Sequence, residues 1–339
     1  MRILIFDVNW LGDVLFSTPL IRNIRYNYAD SYIACIVPPR CKEILENNPY
    51  LDEIIFFDEK NQQRSLKEKL KFIKLIKSKK FDKVFLLHRS FSRAFICWLA
   101  GIPERIGYAT KKRSLLLTQK IISVQKDSVH KIDYYLGVIK GAGLRVIDKH
   151  LDFFVRKEDL DFVERFLEER EITKDDFLIG INPSGNWLPK RWPADNWKEL
   201  VRRVIKEING KVIITGSKND LELAENIKSS HNGRIIVACG KINLSQFAAL
   251  CKRLNLFISV DTGPLHIANS VGTKKIIALF GPTSLLNSSP YPLDNVVVLK
   301  KDIGCKIPCY IVDCKDNRCM KAITADEVLE EIKRIKSNT

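Results

Sequence analysis

Ten short apolar bursts alternate along this chain with stretches of helical periodicity, and that alternation restricts the fold more than any other feature. The first series is RILIF (2–6), YIACIV (32–37), EIIFF (53–57) and KVFLL (83–87), with room for helices at 40–47 and 66–78. The second is FLIGIN (177–182), KVIIT (211–215), RIIVA (234–238), LFISV (256–260), KIIALF (275–280) and NVVVL (295–299), with a helical pattern at 196–208. Strands alternating with helices predict an α/β layer fold around parallel sheets. The pattern restarts after an acidic helical segment near 157–176. Two α/β domains are therefore expected, 1–170 and 171–324, followed by a C-terminal helix and tail at 325–339 in which Val328, Leu329, Ile332 and Ile335 keep helical spacing. Two such domains facing one another would form a deep interdomain cleft, and ligands are expected at the carboxyl ends of their strands.

Length and composition narrow the class. The chain has 339 residues, 45% of them hydrophobic and 28% charged, the balance of a folded chain and not of a disordered or collagen-like one. The net charge of +16 is concentrated, since residues 51–120 carry 17 basic and 7 acidic side chains whereas 151–200 carry 8 and 12. A polyanionic partner is therefore expected on the first half. The start MRILIFDVNW is broken by Asp7 and lacks the form of a secretory signal, and no apolar run has the length of a membrane span. A cytoplasmic protein, at most peripheral on a membrane, is the expectation. Five of the nine cysteines (Cys35, Cys41, Cys97, Cys239, Cys251) stand among apolar neighbours and read as core residues.

Several strand ends carry residues suited to an anion. In LFISVDTGPLHIANSVGT (256–273) a strand ends at Asp261, Thr262 and Gly263 turn, Pro264 suits the first helical position, and Leu265 and His266 follow in the first turn. The segment reads as a phosphate-binding helix start or as an ordinary cap. In INPSGNWLPKRWP (181–193) the loop holds Ser184 and Gly185, then Lys190 and Arg191 between two tryptophans. Adjacent cations suit a diphosphate leaving group, although both tryptophans also fit interdomain packing. In VIITGSKNDLELA (212–224), Gly216 is followed by Asp220 and Glu222, candidates for a ribose contact or for an acidic helix start. Neither GxGxxG nor GxxxxGK[ST] occurs, which removes the main support for a dinucleotide-dependent oxidoreductase or a P-loop kinase.

Asp13 follows the first strand and reads either as a general base or as a helix cap. The acidic DLD at 159–161 reads as a first helical turn, and no divalent ion is expected there. Cys305, Cys309, Cys314 and Cys319 lack paired CxxC spacing, so a reduced cluster, structural zinc and disulfides stay open. RSLKEKLKFIKLIKSKK (64–80) places Leu66, Leu70, Ile73 and Ile76 on one helical face among eight basic residues and one acid, a pattern shared by lysine-rich surface helices and by helices that lie on anionic lipid. Arg89, Arg93, Arg105, Lys111, Lys112 and Arg113 extend the positive surface. No aromatic interleaving accompanies them, so nucleic acid is not the expected partner.

Taken in order, NWLGDVLFSTPLIRNIR (9–25), NPSGNWLPKRWPADNWKEL (182–200), TGSKNDLELA (215–224), SVDTGPLHIANSVG (259–272), FGPTS (280–284) and CKIPCYIVDCKDNRCM (305–320) resemble the bacterial lipopolysaccharide heptosyltransferases, the ADP-heptose-dependent enzymes of glycosyltransferase family 9. NWLGD and the tail cysteines are most similar to the heptosyltransferase II subgroup. The resemblance spans nearly the whole chain and implies a GT-B fold of two facing Rossmann-like domains, with the acceptor on the amino-terminal domain and ADP-heptose on the carboxy-terminal one. It implies an inverting transfer that needs no cofactor, with Asp13 as base, Lys190 and Arg191 meeting the diphosphate, and Asp261 facing the donor sugar. Ser184, Gly185, Gly216, Asp220 or Glu222, Thr262, Gly263, Pro264, Leu265 and His266 would line the donor site. Asn9, Gly12, Arg89, Arg93 and Arg113 would serve a phosphorylated anionic glycolipid acceptor at the cytoplasmic surface of the inner membrane. The readings that compete are a related transferase using another nucleotide-activated sugar or a non-lipid acceptor, and a non-enzymatic basic protein that binds membrane or nucleic acid.

Overall fold

The computed structural model describes residues 1–122, 124–185, 187–228 and 233–338, leaving the side chains of Lys111 and Lys126 undescribed. The chain divides into two compact units, Met1–Phe154 and Val155–Thr339.

The first unit is built on a parallel sheet of β1 (Arg2–Phe6), β2 (Tyr32–Val37), β3 (Glu53–Phe56), β4 (Lys83–Leu86), β5 (Glu104–Tyr108) and β6 (Gln119–Ile121), in the order β3-β2-β1-β4-β5-β6. Helices cover such a sheet on both faces, so the inner strands are apolar along their whole length. Ile3, Leu4 and Ile5 are completely buried, as are Val84, Phe85 and Leu86. The two strands that the hydrophobic pattern misses have clear reasons. β5 is ERIGY, with two charges and a glycine in five residues, and β6 is a three-residue edge strand, QKI.

The second unit repeats the plan with β7 (Leu178–Asn182), β8 (Lys211–Ile214), β9 (Ile235–Val237), β10 (Leu256–Val260), β11 (Ile276–Phe280) and β12 (Val296–Lys300), in the order β12-β11-β10-β7-β8-β9. All neighbours are parallel. Numbered within each unit, both sheets follow the doubly wound order 3-2-1-4-5-6, in which the chain reverses direction between the first and fourth strands. That reversal puts an opening at the carboxyl ends of β1 and β4 in one unit and of β7 and β10 in the other. Both pairs carry residues singled out from the sequence.

The division between units precedes the expected boundary at 170. Helix Lys157–Glu168 packs on helix Leu244–Arg253 of the second unit, where Val163, Phe166 and Leu167 are buried. Helix Ala325–Ser337 is part of the same body. Thr324 and Glu327 close its start in a reciprocal capping box, and Val328, Leu329 and Ile332 are fully buried in the core beside helix Ala194–Arg203. Helix Leu66–Ser78 forms as expected, but turned. Phe72 and Ile76 face the core, whereas Leu66 and Leu70 stay exposed.

Candidate active site

In the second unit, β7 and β10 are hydrogen-bonded neighbours, so their ends deliver residues 182–185 and 261–263 side by side. The β10 turn enters helix Gly263–Ser270 through Thr262, with Gly263 and Pro264 as its first two residues and no side chain capping its start. Pro264 thus occupies the second helical position, one later than the sequence implied. A helix start left without a side-chain cap presents amide dipoles to an anion. Thr262, Gly263 and Pro264 are half-buried, and Leu265 and His266 are buried behind them.

Lys190 ends a one-turn helix, Leu188–Lys190. Its ammonium donates to Asp261 Oδ2 and to the Asp261 backbone oxygen, both at 2.9 Å. Asp261 is 3% exposed. Its Oδ1 lies 3.3 Å from His266 Nε2, and its Oδ2 accepts from Ser288 Oγ at 3.2 Å. Burial alone would raise the carboxyl's pKa, but the His266 hydrogen bond and the Lys190 charge outweigh it and hold the group well below the usual carboxylate range. Asp261 is therefore a fixed anion that locks the lysine in place.

Gly185 lies across from the same turn. A side chain there would come within 3.2 Å of Thr262 Cγ2, and its carbonyl accepts from Arg191 Nε at 2.8 Å. Ser184 Oγ donates to Asp220 Oδ1, while Asp220 Oδ2 accepts from the Ser217 amide at 2.8 Å and from Ser217 Oγ at 2.7 Å. Asp220 thus acts as the capping partner of the turn after β8 and is hydrogen-bonded to the 182–185 loop, whereas Glu222 is exposed on the following helix. Gly216 allows this closure, since a Cβ would meet Asp220 and Cys239 at 3.0–3.1 Å. Trp192 is 2% exposed, packs edge-on against Trp197 and donates to the Ile323 carbonyl at 2.8 Å. Its packing is inside this unit.

In the first unit, β1 leads into Asp7, Val8 and Asn9. Helix Leu11–Asn27 then begins with Trp10 as its uncapped N-terminal residue and Gly12 and Asp13 in its first turn. The cap alternative for Asp13 is thereby set aside. Its Oδ1 faces Lys131 Nζ at 2.9 Å, with the Asp13 side chain 13% exposed. Lys131 opens helix Lys131–Gly141 and lies 5.3 Å from the centre of the Phe16 ring. Beneath this pair Asp7 is fully buried, accepting from the Val8 amide and from Ser17 Oγ, each at 2.7 Å. Burial pushes its pKa up to about 7 against the lowering effects of Ser17, Val8 and Arg93.

Two of the cations expected on the acceptor surface are structural. Arg93 is 2% exposed and donates to the Asp7 carbonyl and to Asn9 Oδ1, both at 2.5 Å. Arg113 is equally enclosed and donates to the carbonyls of Tyr108 and Leu86. Neither therefore extends the positive surface as the sequence suggested. Arg89 is exposed beside Tyr108 and Tyr134, and Asn9 is held in place by Arg93 and Arg40.

Among the described residues no three His, Cys, Asp or Glu side chains come together as metal ligands. The tail cysteines do not assemble a zinc site, and their exposure grades from open Cys305 to buried Cys319. Asp159 of the DLD segment pairs with Arg156.

Sequence reasoning missed Lys131, Ser288 and the grouping of Asp7 and Ser17 with Arg93. Ser288 lies four residues beyond the FGPTS segment and was within reach of that motif, but the pairing of Lys131 with Asp13 joins residues 118 positions apart and has no local signal.

The model of glycosyltransferase family 9 (heptosyltransferase) matches residues 69–316. Lipopolysaccharide heptosyltransferase 2 of Escherichia coli K12 is 25% identical over 296 residues, covering 84% of each chain. The solved glycosyl transferase family 9 protein from Veillonella parvula superposes with a TM-score of 0.90 at 25% identity, over 100% of this chain and 98% of that one. The fold also matches E. coli heptosyltransferase WaaC with ADP-2-deoxy-2-fluoro heptose, at a TM-score of 0.74 and 18% identity over 98% and 99% of the two chains. With a doubly wound sheet in each unit, a lysine and an open helix start at one switch point and a carboxylate at the other, the chain belongs to glycosyltransferase family 9, the heptosyltransferases.

Proposed function

We propose that this glycosyltransferase moves heptose from ADP-L-glycero-D-manno-heptose to the inner core of lipopolysaccharide, on a lipid A–Kdo or heptosyl–Kdo acceptor, with inversion at the sugar. The observation that carries the donor half is Lys190, held by buried Asp261 at the uncapped start of helix Gly263–Ser270. A diphosphate leaving group gathers negative charge as the glycosidic bond to it breaks, and a fixed ammonium with aligned amides stabilises that charge where it develops. Arg191, beside Gly185, supplies a second positive charge. Ser184, Gly216 and Asp220 form the floor on which the nucleoside would rest, with Asp220 favoured over the more exposed Glu222 for a ribose hydroxyl.

The acceptor half rests on Asp13. Its carboxylate would take the proton from the acceptor hydroxyl as that oxygen attacks the anomeric carbon, so that one bond forms, the bond to ADP breaks, and the proton stays on Asp13. Asn9, Gly12 and Arg89 would contact the acceptor beside it. An acceptor of phosphorylated glycolipid suits the positive charge of the first half, and places the enzyme at the cytoplasmic surface of the inner membrane. No cofactor enters the reaction as proposed.

Calorimetric binding of ADP, UDP and GDP tests the donor assignment. ADP is expected to bind most tightly, and Lys190→Ala to weaken it and to lower turnover by roughly 10²–10³-fold. A clear preference for UDP or GDP would replace ADP-heptose by another activated sugar.

A further inference from the structure

Helix Phe91–Leu99 carries an apolar stripe on the side turned away from its sheet. Arg93, Ala94, Ile96 and Cys97 are buried, while Phe91 is 48%, Phe95 38%, Trp98 48% and Leu99 37% exposed. The spacing i, i+4, i+7 and i+8 puts all four on one face. Their rings form a continuous plate, with Phe91 stacked on Phe95 at 5.9 Å and 15° and Phe95 on Trp98 at 5.6 Å and 20°. The helix has no acidic residue in its sequence, FSRAFICWL.

Helix Leu66–Ser78 touches this helix and shares its core. It is the most basic element of the chain, and it too leaves apolar residues outside: Leu66 is 75%, Leu70 49% and Leu75 45% exposed. Lys67, Lys71, Lys74 and Lys77 are exposed among them. Only Lys71 of these is paired, with Glu68, and among the described residues Lys67, Lys74 and Lys77 have no ion-pair partner. A stack of Phe and Trp beside unpaired lysines is the composition that settles at a lipid–water boundary, the rings at headgroup depth and the cations against lipid phosphates. A protein partner would need an apolar face ringed with acid to match. An anionic bilayer offers both features at once. Among the described residues no helix is long and apolar enough to cross a membrane.

We infer that the adjoining outer faces of helices Leu66–Ser78 and Phe91–Leu99 form a peripheral docking surface for anionic membrane, with Phe91, Phe95 and Trp98 entering the interface and the lysines of the first helix holding the phosphates. The use of this surface rests on the glycolipid acceptor proposed for the reaction. Its occupancy does not, because binding is measured without donor or acceptor, so the two readings fail separately.

The test is sedimentation of the full chain with vesicles of phosphatidylglycerol in phosphatidylcholine, against pure phosphatidylcholine. The wild type is expected to bind only the anionic vesicles, with affinity falling as salt rises. The Phe91→Ser, Phe95→Ser, Trp98→Ser variant should bind at least about tenfold more weakly with an unchanged circular dichroism spectrum. Lys67→Gln, Lys74→Gln, Lys77→Gln should lose about a hundredfold. Brominated lipid should quench tryptophan fluorescence in the wild type, and Trp98→Phe should abolish most of that quenching while the protein still sediments. Wild-type binding by either triple variant, quenching that persists in Trp98→Phe, or a stripe that proves to mediate self-association in the absence of lipid would each overturn the assignment.

Discussion

Asp13 and Lys131 meet at 2.9 Å, so the proposed base is not a freely rotating carboxylate. With one oxygen held by the lysine, the other can be presented to an acceptor hydroxyl, and the pair separates chemistry from binding. Asp13→Asn should lower kcat by roughly 10²–10⁴-fold with little change in ADP affinity. Lys131→Met should also lower kcat more than it alters donor KM, while Lys131→Arg restores most of the rate. Steady-state kinetics on the three variants read this directly, and wild-type turnover by Asp13→Asn would remove the base. Deeper in the same unit, Asp7 has a pKa near 7 in the fold, against 3.8 for the free group. Between those values the folded chain keeps a proton that the unfolded chain has released, so stability is greatest below the lower value and falls as pH rises toward the higher one. Urea denaturation of the first unit should therefore show a decline on the order of a few kcal/mol across that window, and Asp7→Asn should flatten it.

At the level of elements, most of what positions the site was legible in the sequence. Strands buried on both faces need continuous apolar runs, so all ten bursts are strands, and the turn residues that follow them stand at the switch points. What escaped was of two kinds. β5 and β6 carry too much charge or too little length to show a hydrophobic pattern, and Arg93 and Arg113 look like surface cations because nothing local reveals that backbone carbonyls of distant strands receive them. Helix Leu66–Ser78 was legible as a helix but not in its facing, because apolar residues occupy more of its circumference than the core can cover. The C-terminal helix was readable in pattern though not in destination. Since Leu329 is fully buried in the core of the second unit, Leu329→Ala should destabilise that unit by roughly 2–5 kcal/mol. Thermal denaturation followed by calorimetry should show its transition fall while that of the first unit stays in place.

Across the whole molecule, one plan is used twice with different chemistry at equivalent places. In each unit the first strand of the sheet and its fourth-strand neighbour open at their carboxyl ends. The first unit places Asn9 and Asp13 there, and the second places Gly185, Lys190 and Asp261. The duplicated strand order explains why ligand residues appear where they do. The differing side chains explain why one unit suits proton removal and the other an anionic leaving group. Family membership covers most of the chain, and the sugar, its acceptor and the direction of attack follow from the proposal for these two sites. The most direct measurement is the mass of a lipid A–Kdo or heptosyl–Kdo acceptor after incubation with ADP-heptose and the purified protein. A gain of one heptosyl residue with release of ADP is expected, present with the wild type and lost with Asp13→Asn. An acceptor of unchanged mass under conditions where ADP-heptose is bound, or equal product from Asp13→Asn, would contradict it.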